Sequence, residues 1–213
     1  MPFLTKKKFS QENCYLFTKR ILDVLLSLFL LFFSLPLFLL VAWGIKLSSC
    51  GPILFKQKRA GLYGKEFIMY KFRSMVTNAE QLRSELERFN LIKGPTFKMK
   101  DDPRLTKWGK FIRKTSLDEL PQLWNVLKDD MSLVGPRPFP ILDANKDYPF
   151  HKERLRVKPG LSCLWQINGR AEINDYNEWL RLDLEYINKR SISLDLKILL
   201  KTIPAVIFGR GAY

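Results

Sequence analysis

The sequence predicts a mainly α-helical protein with a small β component, an α+β arrangement in which an amino-terminal membrane helix precedes a compact domain. Three observations lead to this prediction: one long apolar run near the amino terminus, later stretches with helical periodicity, and two short stretches rich in β-forming residues. The composition changes from membrane-like to soluble around Ser48, so we divide the chain into residues 1–47 and 48–213.

The first element is the uncharged, mostly apolar run from Val24 to Ile45. As a straight helix it would measure roughly 33 Å, enough to cross the apolar core of a bilayer. Pro36 removes one backbone hydrogen bond near the middle of the run, and together with Ser34 it favours a bend. Basic residues flank both ends of the run: Lys6, Lys7, Lys8, Lys19 and Arg20 before it, and Lys46, Lys56, Lys58 and Arg59 after it. The positive-inside tendency therefore favours a re-entrant helix-break-helix with both ends in the cytoplasm, and a kinked single-pass helix is the alternative.

The next elements are two short strands, predicted at residues 53–59 and 66–75, joined by a glycine-containing turn. Residues 79–93 predict an amphipathic helix, because apolar side chains recur there at helical spacing. Residues 176–190 carry a similar stripe and predict a core-facing helix. The last stretch, 193–209, mixes apolar residues with lysines, which predicts either an interfacial helix lying against lipid or a buried terminal helix.

Charge and rare residue types narrow the classes of function. The chain has 36 Lys and Arg against 21 Asp and Glu, a net charge of +15, which indicates a polyanionic partner such as nucleic acid, anionic lipid or a phosphate-rich substrate. His151 is the only histidine, so a histidine-based triad or a histidine-rich metal site has almost nothing to be built from. The three cysteines lack the paired spacing of zinc sites or disulfide frameworks, which indicates a reducing compartment.

Adjacent carboxylates at Asp118 and Glu119 form the first candidate site. A structural role is one interpretation, because Ser116 and Glu119 fit a Ser-x-x-Glu capping box; a cap at Asp118, with Pro121 as the third helical residue, is another. In both cases the carboxylates lie at a helix amino terminus, where backbone N–H groups favour anions.

The surroundings of this pair favour phosphate chemistry. Residues 97–114 place many cations just before it, and Arg137 lies between Pro136 and Pro138, where a stiff backbone partly pre-organises the guanidinium to bind phosphate. Paired carboxylates, a rigid arginine and a cationic approach serve phosphoryl transfer through positioning, metal binding and charge neutralisation. The residues alone leave the capping and catalytic roles both open.

Three motifs decide between these roles: YKFRSM at 70–75, DDPRLTKWGKFIRKTSLDELPQLWNVLKDDMSLVGPRP at 101–138 and RVKPGLSCLWQINGR at 156–170. With one hydrophobic segment before them, they resemble the bacterial sugar transferase family of monotopic polyprenyl-phosphate phosphoglycosyl transferases, from about residue 18 to residue 213. The short form, with a single hydrophobic segment, resembles members that begin the assembly of exopolysaccharide, O-antigen or glycoprotein glycans.

The resemblance implies transfer of a sugar 1-phosphate from a UDP-sugar to polyprenyl (undecaprenyl) phosphate, with release of UMP. By similarity, Asp118 would be the nucleophile that carries a covalent phospho-sugar, and Glu119 would hold Mg²⁺. A carboxylate suits the first role because it is ionised at neutral pH and forms a reactive acyl phosphate. The basic residues expected by similarity to bind phosphate are Arg113 and Arg137, then Lys71 and Arg73, then Arg104 and Arg170.

The resemblance also implies a re-entrant helix at the cytoplasmic face of the bacterial inner membrane. Members often break this helix with adjacent Ser and Pro, whereas here Leu35 separates Ser34 from Pro36. The expected partners are a UDP-sugar, polyprenyl phosphate and membrane lipids, with no nucleic acid and with a homodimer left open. A GRGAY tail suggests a hexose such as galactose or glucose, by analogy with polysaccharide-initiating members, and an N-acetylated sugar stays open.

Two other functions follow from different classes of protein. One is a membrane-tethered basic module that binds nucleic acid or anionic lipid without catalysis. The other is a different Mg²⁺-dependent phosphotransferase or phosphatase, for which water would be the acceptor.

Overall fold

The computed structural model describes residues 6–91, 97, 99, 101–141, 151–169, 173 and 175–207. Its helices are α1 (Lys6–Ser48), α2 (Arg83–Leu86), α3 (Lys107–Lys114), α4 (Gln122–Leu127), α5 (His151–Arg154), α6 (Leu164–Ile167), α7 (Tyr176–Lys189) and α8 (Ile192–Ile207). Its strands are β1 (Leu54–Ala60), β2 (Glu66–Phe72), β3 (Ser132–Val134) and β4 (Gly160–Ser162). Short 3-10 helices cover Leu62–Gly64, Glu87–Phe89 and Leu117–Glu119. The predicted class, mainly α with a small β component, is confirmed.

Helix α1 is assigned without interruption through Pro36. The residues from Gln11 to Ser48 are long and apolar enough to cross a membrane. Only 11% of the most apolar part of this segment is buried, whereas a core helix of a soluble protein would be mostly buried. The amino-terminal membrane-type helix is therefore present, while its predicted break and re-entry stay predictions.

Near its amino-terminal end, α1 is hydrogen-bonded to the domain through two charged side chains. The Arg20 guanidinium donates to the carbonyls of Val126 at 2.7 Å and Leu127 at 2.9 Å, next to the end of α4. The Asp23 carboxylate accepts the Leu133 N–H of β3 at 2.9 Å. This part of α1 is thus fixed against the centre of the domain.

The other end of α1 packs against apolar residues. Val41 and Ile45 are buried in a small core with Phe72 of β2 and Ile112 of α3. The indole N–H of Trp108 also donates to the Val41 carbonyl at 3.3 Å. The same domain therefore contacts both ends of the membrane-type helix.

Strands β1 and β2 form an antiparallel hairpin whose register runs from the pair Leu54–Phe72 to the pair Ala60–Glu66. This confirms the two strands predicted from sequence. Side chains alternate between the two faces of a strand, and Phe67 and Met69 of β2 are buried in the main core. Lys71 follows at the next position of the same face, so the pleat carries its side chain inward.

Strands β3 and β4 form a short parallel pair in which Ser132 lies opposite Gly160. At its end the backbones of Gly135 and Gly160 approach so closely that a Cβ on Gly160 would lie 2.0 Å from the Gly135 nitrogen. Only glycine fits this approach. The pairing of β3 with β4 therefore brings the segment after β3 beside the segment before β4.

The main core joins β2, α4, β3, β4 and the last three helices. Its buried members are Phe67, Met69, Leu123, Val126, Met131, Leu133, Val134, Cys163, Leu164, Trp165, Leu182, Tyr186 and Ile198. Each fully buried large apolar side chain of this set contributes about 1.5–3 kcal/mol to the stability of the fold.

The predicted helices have mixed outcomes. Residues 176–190 form α7 largely as expected, with Leu182 and Tyr186 in the core. The helix predicted at 79–93 is wrong in extent: it is reduced to α2 and a 3-10 turn, with Phe89 47% exposed, and residues 92 and 93 lie outside the described residues. Leu82 and Leu86 are half-buried and lie outside the two apolar cores, so periodicity alone did not sustain a longer helix.

The carboxyl-terminal helix α8 has features of both alternatives. Ile198 is fully buried, while Leu200 and Ile203 are exposed. The GRGAY tail lies outside the described residues. One face of α8 therefore belongs to the core and the opposite face is free to meet another apolar surface.

Candidate active site

The two adjacent carboxylates lie in a tight turn between α3 and α4. Ser116 precedes the turn in the left-handed conformation, with φ 56° and ψ 16°, and makes no side-chain capping bond. Asp118 and Glu119 belong to the 3-10 helix, and α4 begins only after Pro121. The Ser-x-x-Glu capping box is therefore not formed, although Ser116 is the N-cap residue of the 3-10 helix, and the cap predicted at Asp118 is wrong. The chain stays in 3-10 turns before Pro121, whose ring and missing N–H disfavour the interior of an α-helix.

Glu119 is held between two cations from separate parts of the chain. Lys71 Nζ of β2 lies 3.0 Å from Glu119 Oε1. Arg137, from the loop after β3, forms an ion pair with the same oxygen and places Nη1 3.4 Å from Oε2. Lys71 and Glu119 each have side chains that are 15% exposed. The structure thus brings together three residues that lie up to 66 positions apart in sequence (137 − 71).

Glu119 is ionised in this setting. Burial disfavours its charge, but the charges and hydrogen bonds of Arg137 and Lys71 outweigh burial and hold its pKa well below the ordinary value. The pKa of Arg137 is raised because the carboxylate of Glu119 outweighs its burial. Burial lowers the pKa of Lys71, and the charge of Glu119 opposes that change. Glu119 and Arg137 therefore form a permanent ion pair at neutral pH.

Asp118 differs from its neighbour because no side-chain hydrogen bond or ion pair joins it to another described residue. It is 5% exposed. Burial raises its pKa, the charge of Glu119 raises it further, and the charges of Lys71, Arg113 and Arg137 oppose the change. Asp118 is thus a poorly solvated carboxylate that leaves its oxygens available to an incoming group.

The other predicted phosphate-binding residues fall into two groups. Arg113 is half-buried and no ion pair joins it to another described residue, while its charge acts on Asp118. Arg73 is buried and donates to the carbonyls of Ser49 and Cys50, at the end of α1. Arg113 therefore lies within electrostatic reach of the pair, whereas Arg73 joins β2 to α1.

Arg104 is also engaged in internal contacts. Its guanidinium forms a two-pronged ion pair with Asp102 at 2.7 and 2.9 Å, and both residues are buried. Arg170 lies outside the described residues. Phosphate binding by Arg73, Arg104 and Arg170 stays an untested prediction, and the observed contacts of the first two are structural.

Sequence reasoning missed Asn125, which fixes β2 relative to α4. The Asn125 side chain is fully buried, accepts the Tyr70 N–H at 3.0 Å and donates to the Ile68 carbonyl at 2.7 Å. It thus replaces a neighbouring strand along the free edge of β2, directly before Lys71. An asparagine among the apolar residues of QLWNVL was the available signal, because a buried amide needs hydrogen-bond partners.

The carboxylate pair fits a metal ion that arrives with phosphate ligands. Among the described residues, no group of three or more His, Cys, Asp and Glu side chains could hold a metal. Mg²⁺, however, is commonly bound by one or two carboxylates together with substrate phosphates and water. Among the described residues, the one hydrogen bond to Glu119 Oε2 is the 3.4 Å donation from Arg137, so this oxygen retains a lone pair for such an ion.

A carboxylate pair faced by cations, on a domain joined to a membrane-type helix, fits a membrane-associated transferase. The chain belongs to the bacterial sugar transferase family, whose model matches residues 14–209. It is 52% identical over 162 residues to the galactosyl transferase CpsE of Streptococcus agalactiae serotype III, covering 76% of this chain and 36% of CpsE.

Two further relatives match over more of the chain. Identity is 41% over 201 residues to the undecaprenyl-phosphate galactose phosphotransferase of Salmonella typhimurium, covering 92% of this chain and 42% of that protein. It is also 41% over 201 residues to the exopolysaccharide production protein ExoY of Sinorhizobium fredii, covering 92% of this chain and 88% of ExoY. The chain therefore spans less than half of CpsE and of the Salmonella protein, and most of ExoY.

Proposed function

We propose that this protein transfers a sugar 1-phosphate from a UDP-sugar to undecaprenyl phosphate through a covalent phospho-sugar on Asp118. The observation that carries the proposal is the contrast between the two adjacent carboxylates. Glu119 is neutralised by Lys71 and Arg137, while Asp118 is buried without such a partner. The names of relatives as undecaprenyl-phosphate sugar phosphotransferases support the reaction class.

The reaction proceeds in two displacements at one phosphorus atom. In the first, an Asp118 oxygen bonds to the phosphorus that carries the sugar, and the bond from this phosphorus to the bridging oxygen breaks, so that UMP leaves. In the second, a phosphate oxygen of the lipid attacks the same phosphorus and the bond to Asp118 breaks. The carboxylate is regenerated and no histidine base is required.

Burial of Asp118 suits this role because water does not solvate the attacking oxygen well. Burial is also the main cause of the raised pKa, and a poorly solvated carboxylate is a stronger base and nucleophile when ionised. The charges of Lys71, Arg113 and Arg137 favour the ionised form and attract the diphosphate of the donor. Their positive field offsets the repulsion between a carboxylate and a phosphate.

Mg²⁺ is the proposed cofactor, held by Glu119 together with phosphate oxygens of the donor. When bound, it would neutralise charge on the diphosphate and favour departure of UMP. Glu119 keeps its orientation through Lys71 and Arg137.

The same domain contacts both ends of α1, which supports a re-entrant or otherwise monotopic arrangement. An α-helix from Asp23 to Val41 extends roughly 27 Å, close to the ~30 Å thickness of a bilayer core. In a spanning helix these residues would face opposite sides of the membrane. Here Asp23 is bonded to β3 and Val41 is buried with β2 and α3 of one domain. We propose that the domain lies at the cytoplasmic face of the inner membrane, as the basic residues on both sides of the apolar run favour, with the exposed face of α8 against lipid.

Native cysteines test this topology. Cys14 and Cys50 flank the apolar segment and are exposed, whereas Cys163 is buried. A membrane-impermeant maleimide should label both Cys14 and Cys50 in inside-out vesicles and neither in right-side-out vesicles, with Cys163 reacting only after denaturation. Single Cys14→Ser and Cys50→Ser variants assign the label. Labelling of the two cysteines from opposite sides would establish a single-pass helix and contradict the proposal.

The transfer reaction is tested with purified protein, Mg²⁺, undecaprenyl phosphate and radiolabelled UDP-galactose, UDP-glucose and UDP-N-acetylglucosamine. We expect continued UMP release to require the lipid, because without it the reaction stops after one UMP per Asp118, and to be fastest with a hexose, in line with relatives named for galactose and glucose. Asp118→Asn should abolish it, while Asp129→Asn, an exposed aspartate with φ 70°, serves as the matched control. Phosphate transfer to water would indicate a hydrolase, and binding of anionic lipid without UMP release would indicate a non-catalytic module.

A further inference from the structure

The loop that carries Arg137 is fixed through its carbonyl groups. Prolines at 136, 138 and 140 have no N–H to donate, so hydrogen bonding along this loop depends on its acceptors. Four successive carbonyls of this loop each accept a hydrogen bond. The Pro136 carbonyl accepts from the Gly160 N–H at 2.8 Å, and the Arg137 carbonyl accepts from Arg154 Nη2 at 3.0 Å. The Pro138 carbonyl accepts from Arg59 Nη1 at 2.8 Å, and the Phe139 carbonyl accepts from the Ala60 N–H at 3.1 Å. The backbone beneath the Arg137 side chain is thus held at every residue.

Arg154 is the donor to the carbonyl of Arg137 itself, and its own position is fixed from two sides. Arg154 Nη2 lies 2.5 Å from Asp183 Oδ2 of α7, and the two side chains are 5% and 1% exposed. The guanidinium carbon lies 3.6 Å from the centre of the Phe139 ring, a cation–π contact. Burial raises the pKa of Asp183 to about 6 and Arg154 opposes the rise, so the carboxyl is ionised at neutral pH.

We propose that Arg154, held by Asp183, is a positioning residue that sets the place of the Arg137 guanidinium beside Glu119. The inference rests on the proposed function, because it assigns Arg137 to the donor diphosphate. Arg154 touches the backbone of Arg137 and not the carboxylate pair, so it acts through Arg137. Displacement of a positioning group by about 1 Å can lower a rate about 100-fold.

A double-mutant cycle with Arg137 separates positioning from a general loss of stability. Arg154→Lys keeps the charge but moves the donor, because the single atom Nη2 lies against both Asp183 and the Arg137 carbonyl and a lysine ammonium is placed differently. We expect it to lower kcat/KM about 10–100-fold in the native background, measured with radiolabelled donor. In an Arg137→Met background the same change should lower the residual kcat/KM less than about 2-fold, because the group that it positions is gone.

Arg190→Lys is the matched control. Arg190 also pairs with a carboxylate, Glu12 of α1, but it lies after α7, and no contact between described residues joins it to the loop. Its effect on kcat/KM should be the same factor in both backgrounds. Asp183→Asn is a second route to the same test if Arg154→Lys fails to fold, and it should show the same loss of effect in the Arg137→Met background.

The outcomes distinguish the two proposals. An equal fold loss for Arg154→Lys in both backgrounds, or no loss in the native background, would overturn the positioning role while leaving the transfer reaction intact. Absence of sugar-phosphate transfer by the native chain would instead contradict the proposed function.

Discussion

Replacing Asn125 with alanine tests whether a single buried amide fixes the strand that carries Lys71. The change removes the acceptor for the Tyr70 N–H and the donor to the Ile68 carbonyl, which lie 3.0 and 2.7 Å from the amide. A backbone group left without a partner in a buried place costs about 1–3 kcal/mol, so two such groups cost about 2–6 kcal/mol. For a chain of this size 1 kcal/mol shifts Tm by about 2–4 °C. The apparent Tm should therefore fall by about 4–24 °C at a fixed scan rate.

The assay is thermal unfolding of the lipid- or detergent-solubilised protein, combined with kcat/KM for the donor. Asn177→Ala is the matched control, because Asn177 is exposed in the first turn of α7 and its replacement should change stability by less than about 0.5 kcal/mol. Asn125→Ala should also lower kcat/KM, since Lys71 follows Tyr70 directly. A Tm equal to that of Asn177→Ala would refute the assigned role of Asn125.

Three further predictions concern the carboxylate pair and its cations. Asp118→Asn should raise Tm at about pH 7.5, because the raised pKa of Asp118 means that its ionisation destabilises the folded state. This penalty is absent below the unfolded pKa of ~3.9 and grows as the pH rises from there through the folded pKa. A Tm difference between variant and native protein that is the same at about pH 4 and about pH 7.5 would contradict this prediction. Lys71→Met should raise KM for the donor about 10–100-fold through loss of one charge-assisted contact, and a KM within about 2-fold of the native value would exclude that contact. Removal of Mg²⁺ by chelation should abolish transfer. It should shift the Tm of the donor-free protein by less than about 1 °C, because the described residues hold no cluster of metal ligands. A large Tm shift would indicate a structural metal.

The features that the sequence predicted well are those set by local pattern. The β1–β2 hairpin follows from alternating β-forming residues on either side of a glycine turn, and α7 follows from its apolar stripe. The uncharged run in α1 likewise identifies a membrane-type helix. Each of these depends on spacing within a single segment, which is visible in the chain itself.

The features that the sequence missed depend on contacts between distant segments. The turn at Ser116 required a left-handed residue that neither capping pattern anticipates. The partners of Glu119 come from β2 and from the loop after β3. Arg137 was predicted from its position between two prolines and Lys71 from resemblance to a family, but both were predicted to bind phosphate and neither to pair with Glu119. Arg73 and Arg104 look like phosphate ligands in sequence because a basic residue shows its charge but not its partner. Their carbonyl and Asp102 contacts appear only in the folded chain.

The most direct measurement is the intact mass of the native protein after incubation with UDP-galactose or UDP-glucose and Mg²⁺, without lipid acceptor, followed by peptide mapping. The account predicts one added hexose phosphate per chain, located on Asp118, released on addition of undecaprenyl phosphate and missing in Asp118→Asn. An adduct on another residue, or lipid-dependent turnover by Asp118→Asn at the native rate, would contradict it.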